Sequence, residues 1–466
     1  MNHRALQSLV AALAFLVAPA AAFLAASAAM AADFKVSTAQ LDNGLFVAVV
    51  EDHRAPVVTQ MLYYRAGSAD ELPHQRGIAH FLEHMMFQGT STTPGPEFRG
   101  VIARFGGREN ATTSQDTTTY FQTVGKEALE LVIRLEADRM QNLTINERAF
   151  NSEKEVVKEE RRGRYENEPG GAFAEQYSAA QYLVHPYGNP IIGHMHEIEA
   201  LTLQDALDWY KKWYVPNNAT LVIAGDTTMD EVLPLAKKYY GAIPRGAEPV
   251  RFRPKEPPQL AERRVIMYDP RVRTPSLSRS YLAPSQTARD GTAEALTILA
   301  SALSGSTGRF YQKLVVEQGV ASGAGAGYGG AALNDTTFGV SVSPRRGTDI
   351  AVAERALDAE IERLLRDGIT AEEVELAKSG IVDGLIFARD NVMGLARRVG
   401  NGLSIGMTVE EVTSLSDRMK AVTVERVNEA ARRVFDKRRS VTGMLLPSPV
   451  TPTPPATVTP ATAVTR

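Results

Sequence analysis

The chain repeats itself, weakly but in order, and this limits its fold more than any other feature. Residues 82–90, ending in Gly89-Thr90, resemble 299–306, ending in Gly305-Ser306. Asp116-Thr117-Thr118-Thr119-Tyr120 likewise resembles Asp335-Thr336-Thr337-Phe338. At 466 residues the chain also exceeds what one hydrophobic core ordinarily holds. Two copies of one domain account for both observations. Between the copies, residues 244–262 shift to Pro, Arg and Glu, the composition of a connector. The expected division is 32–246 for the first domain, 247–262 for the linker and 263–446 for the second domain. Residues 447–466, built of Pro, Thr, Val and Ala, are expected to form a disordered tail.

Within each copy, strands and helices mix without the regular alternation of a doubly wound sheet. In the first, Asn43-Gly44 turns the chain into a strand, 57–65 forms another, and 109–124 reads as two more. Long helices follow at 126–142, 146–166, 203–214 and 229–240, with a strand at 220–225 between the last two. In the second, strands are expected at 264–268, 276–282 and 440–445 and a strand pair over 319–342. Helices are expected at 291–303, 308–317, 350–366, 371–389 and 424–435. The fold class is therefore α+β: two homologous layered domains, each an antiparallel-rich sheet with helices packed on it.

One stretch of the first copy carries chemistry. Gly77-Ile-Ala-His-Phe-Leu-Glu-His-Met-Met-Phe87 is apolar except for His80, Glu83 and His84. On a helix, positions i, i+3 and i+4 share a face, so two imidazoles and a carboxylate converge there. The other faces bear Ile78, Phe81, Leu82, Met85 and Met86, so the helix is expected to be buried on most sides. Ionisable groups in such a helix need compensation, and a divalent metal with a water would supply it. His-x-x-Glu-His is the inverzincin pattern: two His ligands, with the Glu free as general base. Aligned through Gly89 and Gly305, the same places in the second copy hold Leu296, Leu299 and Ala300, so only the first copy can carry the metal.

Composition narrows the remaining ligands. There is no cysteine, which excludes thiolate sites, cysteine nucleophiles and disulfides. The metal must be held by His and carboxylate, and the chain has eight His. The helix over 146–166 offers Glu153, Glu155, Glu159 and Glu160. Most such charge runs are solvated faces, and Lys154, Lys158 and Arg161 fit that reading. Glu153 and Glu160, however, lie two turns apart on the face that includes Val156 and Val157, which favours Glu160 over Glu159 without deciding between them. His185, His194 and His196 form a loose cluster in loops beside Pro, Gly and Asn, and are read as turn or packing residues.

A net charge of −3 argues against nucleic acid as the main partner. Arg4, the apolar run 8–32 and the Ala29-Met30-Ala31 ending read as a secretory signal peptide over 1–31, cleaved rather than kept as an anchor. No second apolar span follows, so the expected location is the bacterial periplasm, with no membrane attachment after cleavage.

With the motif and the acidic helix in view, the chain resembles the pitrilysin/insulinase family of zinc peptidases, and most closely its mitochondrial processing peptidase-like branch. The resemblance also runs through Gly106-Gly107, Asn110-Ala111-Thr112, Asp116, Tyr120, His185-Pro186-Tyr187, Ile192-Gly193, Pro216-Asn217-Asn218 and Gly225-Asp226. It implies that His80, His84 and Glu160 bind one zinc ion per chain, that Glu83 is the general base, and that Glu153 orients the site from behind. It further implies that Asn110, Ala111 and Thr112 lie on an edge strand that binds peptide substrates as an added strand. The overall shape it implies is half of a clam-shell chamber.

The sequence departs from the family in the second copy. Active single-chain members carry an Arg and a Tyr there, where this chain has Val315, Val316 and Ser322. Lys313 and Tyr328 are the candidate stand-ins. Division of labour explains the loss better: a heterodimer whose homologous partner lacks the zinc motif but supplies Arg and Tyr. The competing reading is a non-catalytic scaffold or peptide-binding member of the same fold, which retention of the whole ligand set and base disfavours.

Overall fold

A computed structural model describes residues 34–448. The signal-peptide reading, and the tail reading beyond Ser448, lie outside the described residues.

The first sheet holds β1 (Val36–Gln40), β2 (Phe46–Glu51), β3 (Val57–Tyr64), β4 (Arg108–Thr113), β5 (Thr118–Gly125) and β6 (Ala219–Gly225), in the order β1-β2-β6-β3-β5-β4. The second holds β7 (Arg263–Asp269), β8 (Ser276–Ala283), β9 (Ala321–Tyr328), β10 (Thr336–Pro344) and β11 (Ser440–Pro447), in the order β7-β11-β8-β10-β9. In each sheet one pair is parallel, β2 with β6 and β7 with β11, and every other pair is antiparallel. With β1 set aside, the two strand orders coincide. The weak sequence repeat is thus a repeat of topology, and the protein is α+β as expected. The strand β1 was not expected: Val36-Ser-Thr-Ala-Gln40 is mostly polar, and only its pairing with β2 makes it a strand.

One face of the first sheet is covered by the chain's own helices, Ile78–Met85, Leu129–Asn142, Leu203–Trp213 and Met229–Tyr239. They bury Leu62, Tyr64, Phe81, Ile133 and Trp213 in one core. The other face is covered from the second half. Helix Val392–Ser404 sets Leu395, Ala396 and Val399 against Ala48, Met61, Tyr63 and Val222. The exchange is mutual, because helix Pro169–Gln181 of the first half lies on the second sheet. There Tyr177 donates to Ser280 Oγ at 2.7 Å and to the Val441 carbonyl at 3.1 Å. Each crossing meets a glycine: Gly400 lies under the ring of Tyr63, and Gly443 under Phe173 and Tyr177.

Residues 247–262 carry no helix or strand, yet they are pinned down rather than free. Arg253 inserts between two buried carboxylates, at 2.8 Å from Asp70 and in an ion pair with Asp116. Gln259 donates to the Ser440 carbonyl at 2.7 Å, and Glu256 accepts from the amides of Val184 and His185. Two expected helices also differ in detail. The one over 146–166 is α-helical only through Glu147–Arg161 and widens at Arg162–Glu166, where the Asn167 amide bonds the Arg162 carbonyl at 2.8 Å. The one over 308–317 takes the same wide form across Tyr311–Glu317. The short helices Val409–Thr413 and Leu415–Ala421, like Val392–Ser404, were not anticipated.

Candidate metal centre

Helix Ile78–Met85 starts at Gly77, whose φ of 91° suits glycine and whose missing side chain lets the backbone of Ile192 and Gly193 approach. The Glu71 carboxylate accepts from the amides of Gly77 and Ala79, each at 2.9 Å, and so satisfies amides that the helix start leaves unpaired. Ile78, Phe81, Leu82 and Met85 are fully buried and fix the rotation of the helix. His80, Glu83 and His84 consequently share the one face that remains.

The facing helix, Glu147–Arg161, is capped by the Asn146 side chain on the Ala149 amide at 2.9 Å. It is anchored by Phe150, whose ring centroid lies 4.8 Å from that of Phe81, and by buried Val157. That anchoring turns Glu153 and Glu160, two turns apart, toward the histidines. Glu160 Oε2 sits 3.2 Å from His84 Nε2 and 3.7 Å from His80 Nε2. Ligand atoms of His80, His84 and Glu160 all lie within 4.8 Å of one another, and they form the one such group among the described residues. Glu159, in contrast, points to solvent and pairs with Arg162 at 3.1 Å. The structure thus resolves the Glu159/Glu160 ambiguity in geometry: Glu160 is the acid at the histidines.

The surrounding groups shape this trio. Glu153 Oε1 lies 2.8 Å from His84 Nδ1, which holds that nitrogen and leaves Nε2 facing Glu160. Gln88 donates to the other Glu153 oxygen at 2.9 Å, and Arg164 pairs with Glu160 Oε1 at 2.6 Å. Burial, helped by the charge on His84, pushes the His80 imidazole down to about 4. Burial opposes protonation of His84 too, but the Glu153 and Glu160 carboxylates outweigh it and raise that group to about 9. The neighbouring His84 imidazole keeps Glu160 below the usual carboxylate range. Glu160 Oε2 is buried without a geometrically formed hydrogen bond. Two imidazole nitrogens and an unsatisfied carboxylate oxygen converging in a buried cleft fit a zinc ion, which takes such N and O donors and leaves one position open.

Glu83 stands next to this trio on the helix, 9% exposed, and accepts a 2.5 Å hydrogen bond from Thr113. Burial raises its carboxyl above the ordinary value and the Thr113 hydroxyl works against that rise. Thr113 ends β4, which is the last strand of its sheet. Its pairing from Arg108 to Thr113 is with β5 alone, so Asn110, Ala111 and Thr112 do lie on a free edge. Alternation sends Ala111 and Thr113 to the helix side and Asn110 and Thr112 to the opposite face. Thr113, Gln88, Arg164 and Glu71 were not picked out from sequence. Only Thr113 left a signal there, as the next helix-facing position after Ala111.

The remaining histidines sit elsewhere. His185 Nδ1 accepts from the Tyr187 amide at 3.2 Å, and His194 pairs with Glu175 at 3.2 Å. In the second half, Leu296, Leu299 and Ala300 are buried core residues. Lys313 is engaged by Glu317 at 2.7 Å, and the Tyr328 hydroxyl is bonded to the Pro284 carbonyl. Ser322 donates to the Pro344 carbonyl at 3.2 Å. Each stand-in thus has a partner within the chain.

Residues 46–194 match the family described as Insulinase (Peptidase family M16), and residues 200–381 match the one described as Peptidase M16 inactive domain. The chain belongs to the M16 peptidase family. Among its relatives, the zinc protease PqqE of Helicobacter pylori is 33% identical over 254 residues, a match spanning 54% of this chain and 57% of that protein. A solved protease structure from the same organism superposes with a TM-score of 0.83 at 27% identity, covering 89% of this chain and all of that one. The periplasmic protease PqqL from Escherichia coli shares the fold, with a TM-score of 0.75 at 24% identity over 90% of this chain and 48% of that chain. An M16 assignment with the ligand set in the first half, and an "inactive" description for the second, accords with Leu296, Leu299 and Ala300 replacing the motif there.

Proposed function

We propose that this M16 chain is the zinc-bearing subunit of an exported metalloendopeptidase that hydrolyses peptides or unfolded segments. The observation that carries the reading is the convergence of His80, His84 and Glu160 beside Glu83 and a free strand edge. His80 and His84 would hold the ion through Nε2 and Glu160 through Oε2, with Glu153 fixing the His84 ring. Bound zinc supplies Lewis acidity at the scissile carbonyl. The extended substrate adds to β4 through main-chain hydrogen bonds at Asn110, Ala111 and Thr112, which gives affinity with little sequence demand. Thr113 holds one Glu83 oxygen, and the other takes the proton of the attacking water and returns it to the leaving amine. Burial keeps this carboxylate poorly hydrated and ready for that transfer.

A partner is part of the reading. Val315, Val316 and Ser322 stand where the resemblance calls for Arg and Tyr, and Lys313 and Tyr328 are engaged by Glu317 and the Pro284 carbonyl. The PqqL chain, with more than half its length outside the match, supports an assembly larger than one such unit. That relative is described as periplasmic, and no helix among the described residues is long and apolar enough to cross a membrane. Both are consistent with the export read from residues 1–31.

The test pairs zinc analysis with peptide cleavage. Glu83→Gln is expected to keep stoichiometric zinc while losing roughly 10²–10⁴-fold in cleavage, the range for general-base loss. The chain alone is expected to be nearly inactive until the homologous subunit is added. A Glu83→Gln protein that still cleaves overturns Glu83 as the general base, and wild type that neither binds zinc nor cleaves leaves the scaffold reading instead. Full turnover by the isolated chain removes the partner.

A further inference from the structure

Behind the β4 edge, on the face away from Glu83, a cavity of about 570 Å³ opens between the two halves. Thr112 and Thr119, cross-strand neighbours on β4 and β5, form its floor, and Gln181, Ser280, Arg397 and Asn401 line the opposite walls. These residues come from the two exchanged helices and the second sheet, so the cavity exists only because the halves interlock.

Its charges are unbalanced. The single acid in the lining, Asp116, is already neutralised: Arg253 pairs with it and the Tyr187 hydroxyl donates to it at 2.7 Å. The single cation, Arg397, stands on helix Val392–Ser404 one turn from Asn401, and makes no hydrogen bond or ion pair among the described residues. Gln181 is 2% exposed. Its carbonyl oxygen accepts from Ser280 at 2.5 Å, while its Nε2 is buried with no acceptor. Arg397 and Gln181 thus bring two donors without partners, one of them charged, to the wall of a cavity whose other polar groups are neutral apart from the paired Asp116. A buried amide N–H left unpaired is costly, and a carboxylate is an acceptor for either group.

Strand geometry connects this space to the substrate. In a peptide added along β4, alternate side chains point to opposite faces. The residue beside Thr113 faces Glu83, and its neighbour beside Thr112 faces the cavity. We propose that the cavity is a specificity pocket that takes a substrate carboxylate next to the scissile bond, read by Arg397 and Gln181. The proposal rests on the peptidase reading and on β4 as the docking edge. The carboxylate belongs to an Asp or Glu side chain or to the free C-terminus of a peptide, and the test separates these two sources.

Binding is measured in the Glu83→Gln background with the partner subunit present, so that affinity is read without cleavage. The probes are fluorescein-labelled neutral peptides in which one Gln is replaced by Glu, moved one position at a time, each with an amidated or a free C-terminus. One register is expected to bind about 10-fold tighter with the carboxylate than with its amide, a difference typical of a charge-assisted hydrogen bond. Arg397→Ala is expected to erase that ratio and Arg397→Glu to reverse it in favour of the amide. Arg397 is exposed, so both variants should fold, and circular dichroism checks this. A ratio under about 2-fold at every register, or one unchanged in Arg397→Ala, overturns the proposal. Wild-type cleavage of the same peptides is followed alongside. Discrimination without cleavage supports the pocket while counting against the peptidase reading, and cleavage without discrimination does the reverse.

Discussion

Gly400→Ala probes the interlocking of the two halves at a single methyl group. Gly400 lies within helix Val392–Ser404, where alanine is ordinarily about 1 kcal/mol better than glycine. On an isolated helix the change would stabilise. Here the added Cβ would stand 2.7 Å from Tyr63 Oη and closer still to two ring carbons. Tyr63 cannot swing away: it is 1% exposed, held between β5 and β6 in the sheet, and its hydroxyl rests on the Met61 sulfur at 3.6 Å. Overpacking a site of this kind costs about 1–3 kcal/mol, and the closeness of the contact places it at the upper end. Setting the helix gain against it leaves a net loss of about 2 kcal/mol. Urea unfolding followed by tryptophan fluorescence measures this directly. The double variant Tyr63→Leu/Gly400→Ala supplies the control, because without the ring the alanine should recover its helix preference. A neutral or stabilising Gly400→Ala in the wild-type background refutes the close packing of this helix on the first sheet.

Two further outcomes follow from named contacts. Arg253→Met leaves Asp116 buried with only neutral donors and Asp70 with the Gly67 amide and Arg251, 3.4 Å away, so unfolding stability should fall by about 3–5 kcal/mol; a loss below about 1 kcal/mol in the same urea assay means that the linker is not held by this pair. Glu153→Gln keeps the shape of the His84 partner but removes its charge, and should weaken zinc affinity 10–100-fold in chelator competition, whereas an unchanged affinity rules out its role in fixing the imidazole.

Much of the site was legible locally. His80, Glu83 and His84 are close in the chain, and helical periodicity alone puts them on one face among apolar neighbours. The edge position of Asn110–Thr112 followed from family resemblance rather than from pattern, since nothing in a short polar strand says which side is left unpaired. Glu160 was only favoured over Glu159, because facing directions on a charged helix depend on what that helix packs against. The anchoring of Phe150 and Val157 supplied the missing constraint.

The sequence by itself determined the two-copy architecture, the helix that offers the candidate metal ligands and the lack of a second His-x-x-Glu-His motif, because these reside in local periodicity and in residue types. Tertiary structure alone decided that the copies interlock. Helix Val392–Ser404 seals the first sheet, and helix Pro169–Gln181 seals the second. The signal for this exchange is weak in the chain because the contacts at the crossings depend on small residues, Gly400 and Gly443, whose value lies in what they allow to approach. The same long-range packing brings Arg397 and Gln181 from opposite halves to one cavity, and no spacing in the sequence relates them.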